Sequence, residues 1–283
     1  MSLPPDLVAC LPPGSVIQDI AYTADASTSH EVLLTLPAPI SRRAVLLEPV
    51  SEERGEQAIN ADLTLVSIFS EEQETGELLT RLREWVDTPA GPNETPQGLM
   101  MTLQGAQVFW SPTRIALIAD SSRLENVRRA LIEVTYYLSA LSAIESELRE
   151  DWPDLEEDLP LAFRFDERTR HRLKVLQQRS QRVLSLRARL ARITPFLLCP
   201  HVYPPTLASQ LGERLRERTH VAQREETLSD QLEVFEDVYE MCSQRSSDFV
   251  LARTGHTLEW FIIVLLTVQI LMSVFDILSS TGS

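Results

Sequence analysis

The chain has 283 residues, enough for one large domain or two small ones. Its hydrophobic set is 43% and its charged set 24%, an ordinary globular balance that allows a sizeable core. A formal net charge of −15 excludes nucleic-acid binding by bulk electrostatics, and DNA is not expected as a partner.

In chain order, the opening residues MSLPPDLVACLPPGSV carry neither the basic leader and apolar run of a signal peptide nor the Arg-rich character of a mitochondrial presequence. The bulk of the chain is therefore expected to stay where it is made. The first 120 residues alternate short β-like runs with loops. Ser15 to Ala21, Glu31 to Leu36, Ala44 to Val50 and Leu63 to Phe69 are predicted strands, as are Leu99 to Leu103, Ala106 to Trp110 and Arg114 to Ala119. Glu71 to Val86 is a predicted helix, with Ser70 as N-cap and Leu78, Leu82, Trp85 and Val86 on one face. Residues 87–98 are a loop by their Pro, Gly and Asn content. The fold class is thus α+β, with a mainly antiparallel sheet in the N-terminal part (1–120), then long helices (121–257), a transmembrane helix (258–278) and a short tail (279–283).

From Ser122 the period changes. Arg123 to Arg149 places Leu124, Val127, Leu131, Val134, Leu138, Leu141, Ile144 and Leu148 at spacings of three and four, which is helical throughout. Glu150 to Pro160 (EDWPDLEEDLP) is read as an acidic break and a solvated linker, with docking of a basic helix as the second reading. Asp166 to Arg192 is predicted helical, and Thr194 to Pro205, with four prolines, is expected to break or bend the chain. Thr206 to Val250 resumes the helical pattern. Within it Leu228, Leu232, Phe235, Tyr239 and Cys242 form a short heptad seam, a candidate self-association surface; the alternative is packing within the chain against Arg123 to Arg149.

The charge is uneven. Leu161 to Glu225 holds 14 basic and 5 acidic residues, a net of +9, leaving −24 for the remainder. Arg168, Arg172, Arg179, Arg182 and Arg189 are the candidates for an anionic partner such as RNA, a ribosome or lipid headgroups. Pairing with the acidic remainder of the same molecule is the competing reading, and with a single lysine in the chain the arginine preference need not signal phosphate recognition. No P-loop, GxGxxG, HExxH or GxSxG occurs, and the five histidines do not pair at ligand spacing; the nearest approach is Cys199 with His201 in the Pro-rich turn. Cys10, Cys199 and Cys242 are widely spaced and odd in number, which suits reduced thiols. The reading therefore assigns no catalytic residue, cofactor or metal.

Trp260 to Leu278 is the most apolar stretch, 19 residues of which 13 are Leu, Ile, Val or Phe. As a helix it spans about 28 Å, close to the ~30 Å hydrocarbon thickness. Its apolar residues cover every face, unlike the single stripe of a surface helix. Leu258, Glu259, Trp260 and Gln269 are the candidate anchor residues: Trp260 sits at the near interface, and central Gln269 is costly unless it bonds a neighbouring helix. Arg253 and His256 precede the span, so the positive-inside rule puts the N-terminal bulk in the cytoplasm.

Three stretches of the helical part resemble the domain of unknown function 155 family, relatives of the proteins "required for meiotic nuclear division". They are Ala130 to Glu145 (ALIEVTYYLSALSAIE), the proline-broken Leu197 to Tyr203 (LLCPHVY), and Leu232 to Leu278, where a heptad helix leads to Leu258-Glu259-Trp260 and the apolar run. The N-terminal part departs: Leu63 to Ser70 lacks the glycine and tryptophan of the family's strand. The resemblance implies a membrane-anchored, non-enzymatic homo-oligomer. Eukaryotic members are mitochondrial and hold ribosomes near the inner membrane. With no presequence here, a bacterial plasma-membrane member is expected rather than a mitochondrial one. The expected function is an oligomeric scaffold or tether. The alternatives are a purely structural homo-oligomeric assembly, or a head domain that senses a ligand.

Overall fold

The computed structural model describes residues 3–24, 30–47, 61–69, 76–89, 98–164, 171–199 and 206–281, with side chains at 257 and beyond 272 excepted. Ser70, Arg168 and the Pro-rich turn containing His201 lie outside the described residues. The fold is α+β. Contacts divide the chain into two compact units, Met1–Ser146 with Ala188–Leu228, and Glu147–Arg187 with Ser229–Ser283.

The first unit holds α1 (Pro5–Cys10), β1 (Val16–Thr23), β2 (Val32–Thr35), β3 (Arg43–Leu47), β4 (Leu63–Phe69), α2 (Gly76–Asp87), β5 (Leu99–Leu103), β6 (Ala106–Trp110) and β7 (Arg114–Ala119). All seven predicted strands form one mixed sheet in the order β2-β3-β1-β4-β7-β6-β5. Only β4 and β7 pair in parallel, with Thr64 opposite Arg114 and Phe69 opposite Ala119. A parallel pair needs a long crossover, and the connection from β4 to β7 carries α2 and the β5–β6 hairpin. That hairpin turns on Gln104 and Gly105, both at positive φ (48° and 85°), the two-residue geometry whose twist matches the strands.

β4 and β7 are buried almost throughout, because both sheet faces are covered. On one face Val66, Ile68, Phe109, Ala116 and Ile118 pack under Leu7 of α1 and Leu78, Leu82, Trp85 and Val86 of α2. On the other lies the first part of α3 (Ser121–Phe163). There the Tyr22 hydroxyl donates to the Ile132 carbonyl (2.8 Å), Trp110 Nε1 donates to Thr135 Oγ1 (2.8 Å), and Arg128 Nη1 donates to Gln18 Oε1 (2.9 Å). The eight apolar positions predicted from Leu124 to Leu148 are all buried. Burial pushes the Tyr22 phenol well above its ordinary range, and Asp62 adds to this, so it serves as a neutral donor.

Arg114 ties the layers together. It is buried, and its Nη1 donates to the Trp85 carbonyl (2.7 Å) and the Thr88 carbonyl (2.8 Å) at the C-terminal end of α2. These are carbonyls that a helix end leaves without internal partners.

α4 (Leu173–Leu197), α5 (Leu207–Arg218) and α6 (Val221–Thr281) complete the chain. One expectation is corrected. The acidic segment at Glu150 to Pro160 is neither a break nor a linker: α3 runs through it, Pro153 and Pro160 included. A proline inside a helix costs about 3 kcal/mol, and the apolar burial of Leu155, Leu161 and Ala162 around these prolines offsets it. α4 runs through Pro195 and ends at Leu197, inside the expected break. The helical pattern from Thr206 to Val250 is divided between α5 and α6. Thr219 donates its hydroxyl to the Leu215 carbonyl, and His220 takes a left-handed φ of 51°, which ends α5 before α6 starts. α5 begins with a capping box between Thr206 and Ser209. In α6, Arg224 grips Glu145 with two hydrogen bonds (2.8 and 2.6 Å) and Ser142 with a third (2.8 Å).

Replacing Arg114 with alanine strips charge-assisted bonds from the buried Trp85 carbonyl and the part-buried Thr88 carbonyl. The expected loss is about 1.5–3 kcal/mol, read as a lowered urea midpoint of the detergent-solubilised chain with an unchanged slope.

Candidate functional site

The strongest concentration of chemistry lies in the second unit, where the acidic part of α3 meets the basic start of α4. Asp158 is fully buried. Its Oδ1 accepts from Arg172 Nη2 at 2.8 Å and its Oδ2 from Arg179 Nη1 at 2.6 Å. Arg179 Nη2 also reaches Asp154 Oδ1 at 2.8 Å, and Arg172 Nη2 reaches Glu157 Oε2 at 2.9 Å. Arg182 Nε lies 3.0 Å from Asp151 Oδ2, close enough for an ion pair though without an aligned hydrogen bond. Helical register explains the assembly. Asp151, Asp154 and Asp158 recur at three and four on α3; Arg179 and Arg182 are three apart on α4, and Arg172 stands immediately before its first residue, so each set converges on one side.

α6 closes the cluster. Tyr239 and Cys242 are buried, and the Cys242 thiol donates to the Asp158 carbonyl oxygen at 3.8 Å. Trp152 of α3 meets Phe235 of α6 edge to face, ring centroids 5.0 Å apart. A cavity of about 220 Å³ adjoins the cluster, walled by Asp151, Asp154, Arg179, Arg182, Val175 and Tyr239.

The electrostatics follow from burial and pairing. Burial works against the charged Arg179 guanidinium, but its hydrogen bond to Asp158 and the nearby carboxylates more than compensate, holding it above the ordinary arginine range. The hydrogen bond from Arg172 holds the exposed Glu157 carboxyl below its usual value. Asp151 is raised, chiefly by burial, with Arg182 opposing and Asp154, Glu150 and Glu147 adding to the rise. Burial pushes the Cys242 thiol up to about 11, and the Asp158 charge adds to it. The cluster is an electrostatic clasp: four carboxylates and three guanidiniums that neutralise one another. Among the described residues no group of three or more His, Cys, Asp and Glu side chains is placed to hold a metal ion.

The candidate residues for an anionic partner do not converge on an open basic face. Arg172, Arg179 and Arg182 are held by carboxylates of their own chain, which is the pairing alternative. Arg189 belongs to the first unit, where its charge acts on Tyr136. Arg168 lies outside the described residues. The heptad seam is also internal: Leu228, Leu232, Phe235, Tyr239 and Cys242 are all buried within the chain, so the self-association assigned to them has no free surface there. Asp158 belongs to the acidic run for which docking of a basic helix is the second reading; what that reading does not anticipate is its burial. Leu155, Asp158 and Leu161 continue the apolar stripe past Leu148 at helical spacing, and that register was the available signal.

The anchor residues look entirely different. From Leu258 to Met272 every described side chain is exposed, with Leu258 at 59%, Trp260 at 62% and Met272 at 67%. This part of α6 is long and apolar enough to cross a membrane, and none of it is buried against the protein. Glu259 faces His256, Oε2 to Nδ1 at 3.2 Å. Thr267 satisfies its hydroxyl by donating to the Ile263 carbonyl at 2.8 Å. Gln269 is exposed.

No protein-family model matches the chain, and no curated protein matches it. Among solved structures it is similar to the complete structure of the CorA magnesium transporter from Methanocaldococcus jannaschii, with 10% identity, 88% of this chain and 81% of that chain covered, and a TM-score of 0.36. A likeness at that level carries no inference about activity.

Two outcomes test this site. Asp158→Ala leaves two guanidiniums facing a buried gap, and is expected to cost about 3–5 kcal/mol. Asp151→Asn frees only the half-exposed Arg182, which water can solvate, and is expected to cost under about 1 kcal/mol; thermal unfolding in detergent separates the two. Alkylation at pH 8 is expected to modify Cys10 and Cys199 in the native chain but Cys242 only after denaturation, because its thiol is buried and protonated well above that pH. Mass spectrometry of the labelled peptides checks this.

Proposed function

We propose that the chain is a single-pass, membrane-anchored scaffold that works as an oligomer, with its two folded units on the cytoplasmic side. The observation that carries the reading is the change of character along α6. The same helix buries Leu228, Leu232, Phe235, Tyr239 and Cys242 in protein and then exposes predominantly apolar side chains from Leu258 to Met272. Exposed apolar residues on all sides of a helix are compatible with lipid and not with water. Arg253 and His256 before the span support the cytoplasmic orientation through the positive-inside rule. Leu258-Glu259-Trp260 is the part of the chain that supports kinship with the domain of unknown function 155 family, and with it a scaffolding rather than a catalytic role. Capture of a ribosome or other RNA by the arginines of α4 has less support, because Arg172, Arg179 and Arg182 are already neutralised.

The test is extraction of membranes from cells expressing the full chain. It is expected to stay in the pellet in alkaline carbonate and to leave only in detergent. Leu265→Arg with Ile270→Arg adds about 2.5–3.5 kcal/mol to insertion at each position. Both side chains are exposed, so the folded units are untouched and the variant is expected in the soluble fraction. Release of the unmodified chain by carbonate overturns the anchor. Sedimentation of the detergent extract at low and high salt then shows whether RNA travels with it.

A further inference from the structure

We propose that α6 associates with a second copy of this chain inside the membrane, through the carboxamide of Gln269. The proposal rests on the anchor reading and supplies the surface for the oligomer it invokes.

Gln269 is the tenth of the 19 residues from Trp260 to Leu278, so it sits at the middle of the span. Its side chain is exposed and, among the described residues, makes no hydrogen bond. The other polar residue of the described span, Thr267, disposes of its hydroxyl on the Ile263 carbonyl of its own helix. A carboxamide has two N–H donors and a carbonyl acceptor, and hydrocarbon offers a partner to none of them. The occupant that meets this need is an identical helix. The amide is self-complementary, since the N–H of one copy suits the carbonyl of the other in both directions. Trp260 sets the depth of each span at the interface, so two copies inserted the same way present Gln269 at the same level. Residues 262, 265, 266 and 272 flank position 269 on one side of the helix and supply an apolar surround, while Thr267 lies on the opposite side. By register, positions 273 and 276, a serine and an aspartate in the sequence, fall on the Gln269 side as well. The seam at Leu228 to Cys242 cannot compete for this role, because it is buried within the chain.

The experiment uses the full chain, labelled separately with donor and acceptor fluorophores and reconstituted into phosphatidylcholine vesicles. Energy transfer is followed as lipid dilutes the protein. Wild type is expected to associate, Gln269→Leu to weaken association by about 3- to 30-fold, the range expected for an interhelical hydrogen bond in a bilayer, and Thr267→Leu to leave it unchanged. An unchanged association in Gln269→Leu, or an equal loss in Thr267→Leu, overturns the proposal. So does a wild-type chain that enters the vesicles and stays monomeric at every dilution, which leaves the anchor intact. A chain that does not enter the vesicles at all overturns the anchor and the proposal together.

Discussion

The second unit is organised around a carboxylate that water does not reach. Asp158 has no exposed surface, so its charge must be met by protein, and Arg172 and Arg179 meet it with one hydrogen bond to each oxygen. That requirement dictates much else. It holds the acidic end of α3 against the basic start of α4, and it leaves those arginines committed. It also places Cys242 and Tyr239 of α6 over the pair, where burial and the neighbouring charge keep both neutral. A buried ion pair of this kind adds little net stability compared with an apolar equivalent, yet it is costly to break. Its contribution is to specify which helices meet and in what register.

The first unit solves a different problem. Its central strands are apolar on both faces, and each face must be covered. α1 and α2 cover one, and the first part of α3 covers the other. Arg114 shows how polar groups are managed in such a layered core, since a charged side chain at the start of a buried strand satisfies carbonyls at the end of the overlying helix. Between α3 and α5 the approach is close at Gly212, where an added Cβ would meet Val134 Cγ2 at 3.4 Å. Tyr137 and Phe196 stack with centroids 5.3 Å apart between α3 and α4.

α6 changes character along its length. Its early residues bury an apolar seam in protein, and its later residues carry apolar side chains outward in every direction. In the reading proposed above, lipid completes the second half as the chain's own core completes the first. The amide at position 269 is then the one described side chain in the span that neither medium satisfies.

Much of this was legible in the sequence. Short β-like runs marked all seven strands, because strands announce themselves by β-branched and aromatic content bounded by turns. The apolar positions from Leu124 to Leu148 and the predominant hydrophobicity after Glu259 were equally direct. Local pattern failed where tertiary burial overrides it. Pro153 and Pro160 signal a break, but the apolar burial of Leu155, Leu161 and Ala162 carries the helix through them. The short α1 passed unnoticed because six residues are too few to show a period. Acidic and basic runs are ambiguous in one dimension, since a solvated face and half of a clasp share the same composition. The heptad seam is ambiguous in the same way, because an apolar stripe records that something covers it and not whether the cover is a second chain. The sequence by itself determined where apolar periodicity runs and where it becomes total, because those depend on neighbours along the chain. Only the tertiary structure decided which charges and which stripe are spent internally, because that depends on which helices are brought together in space.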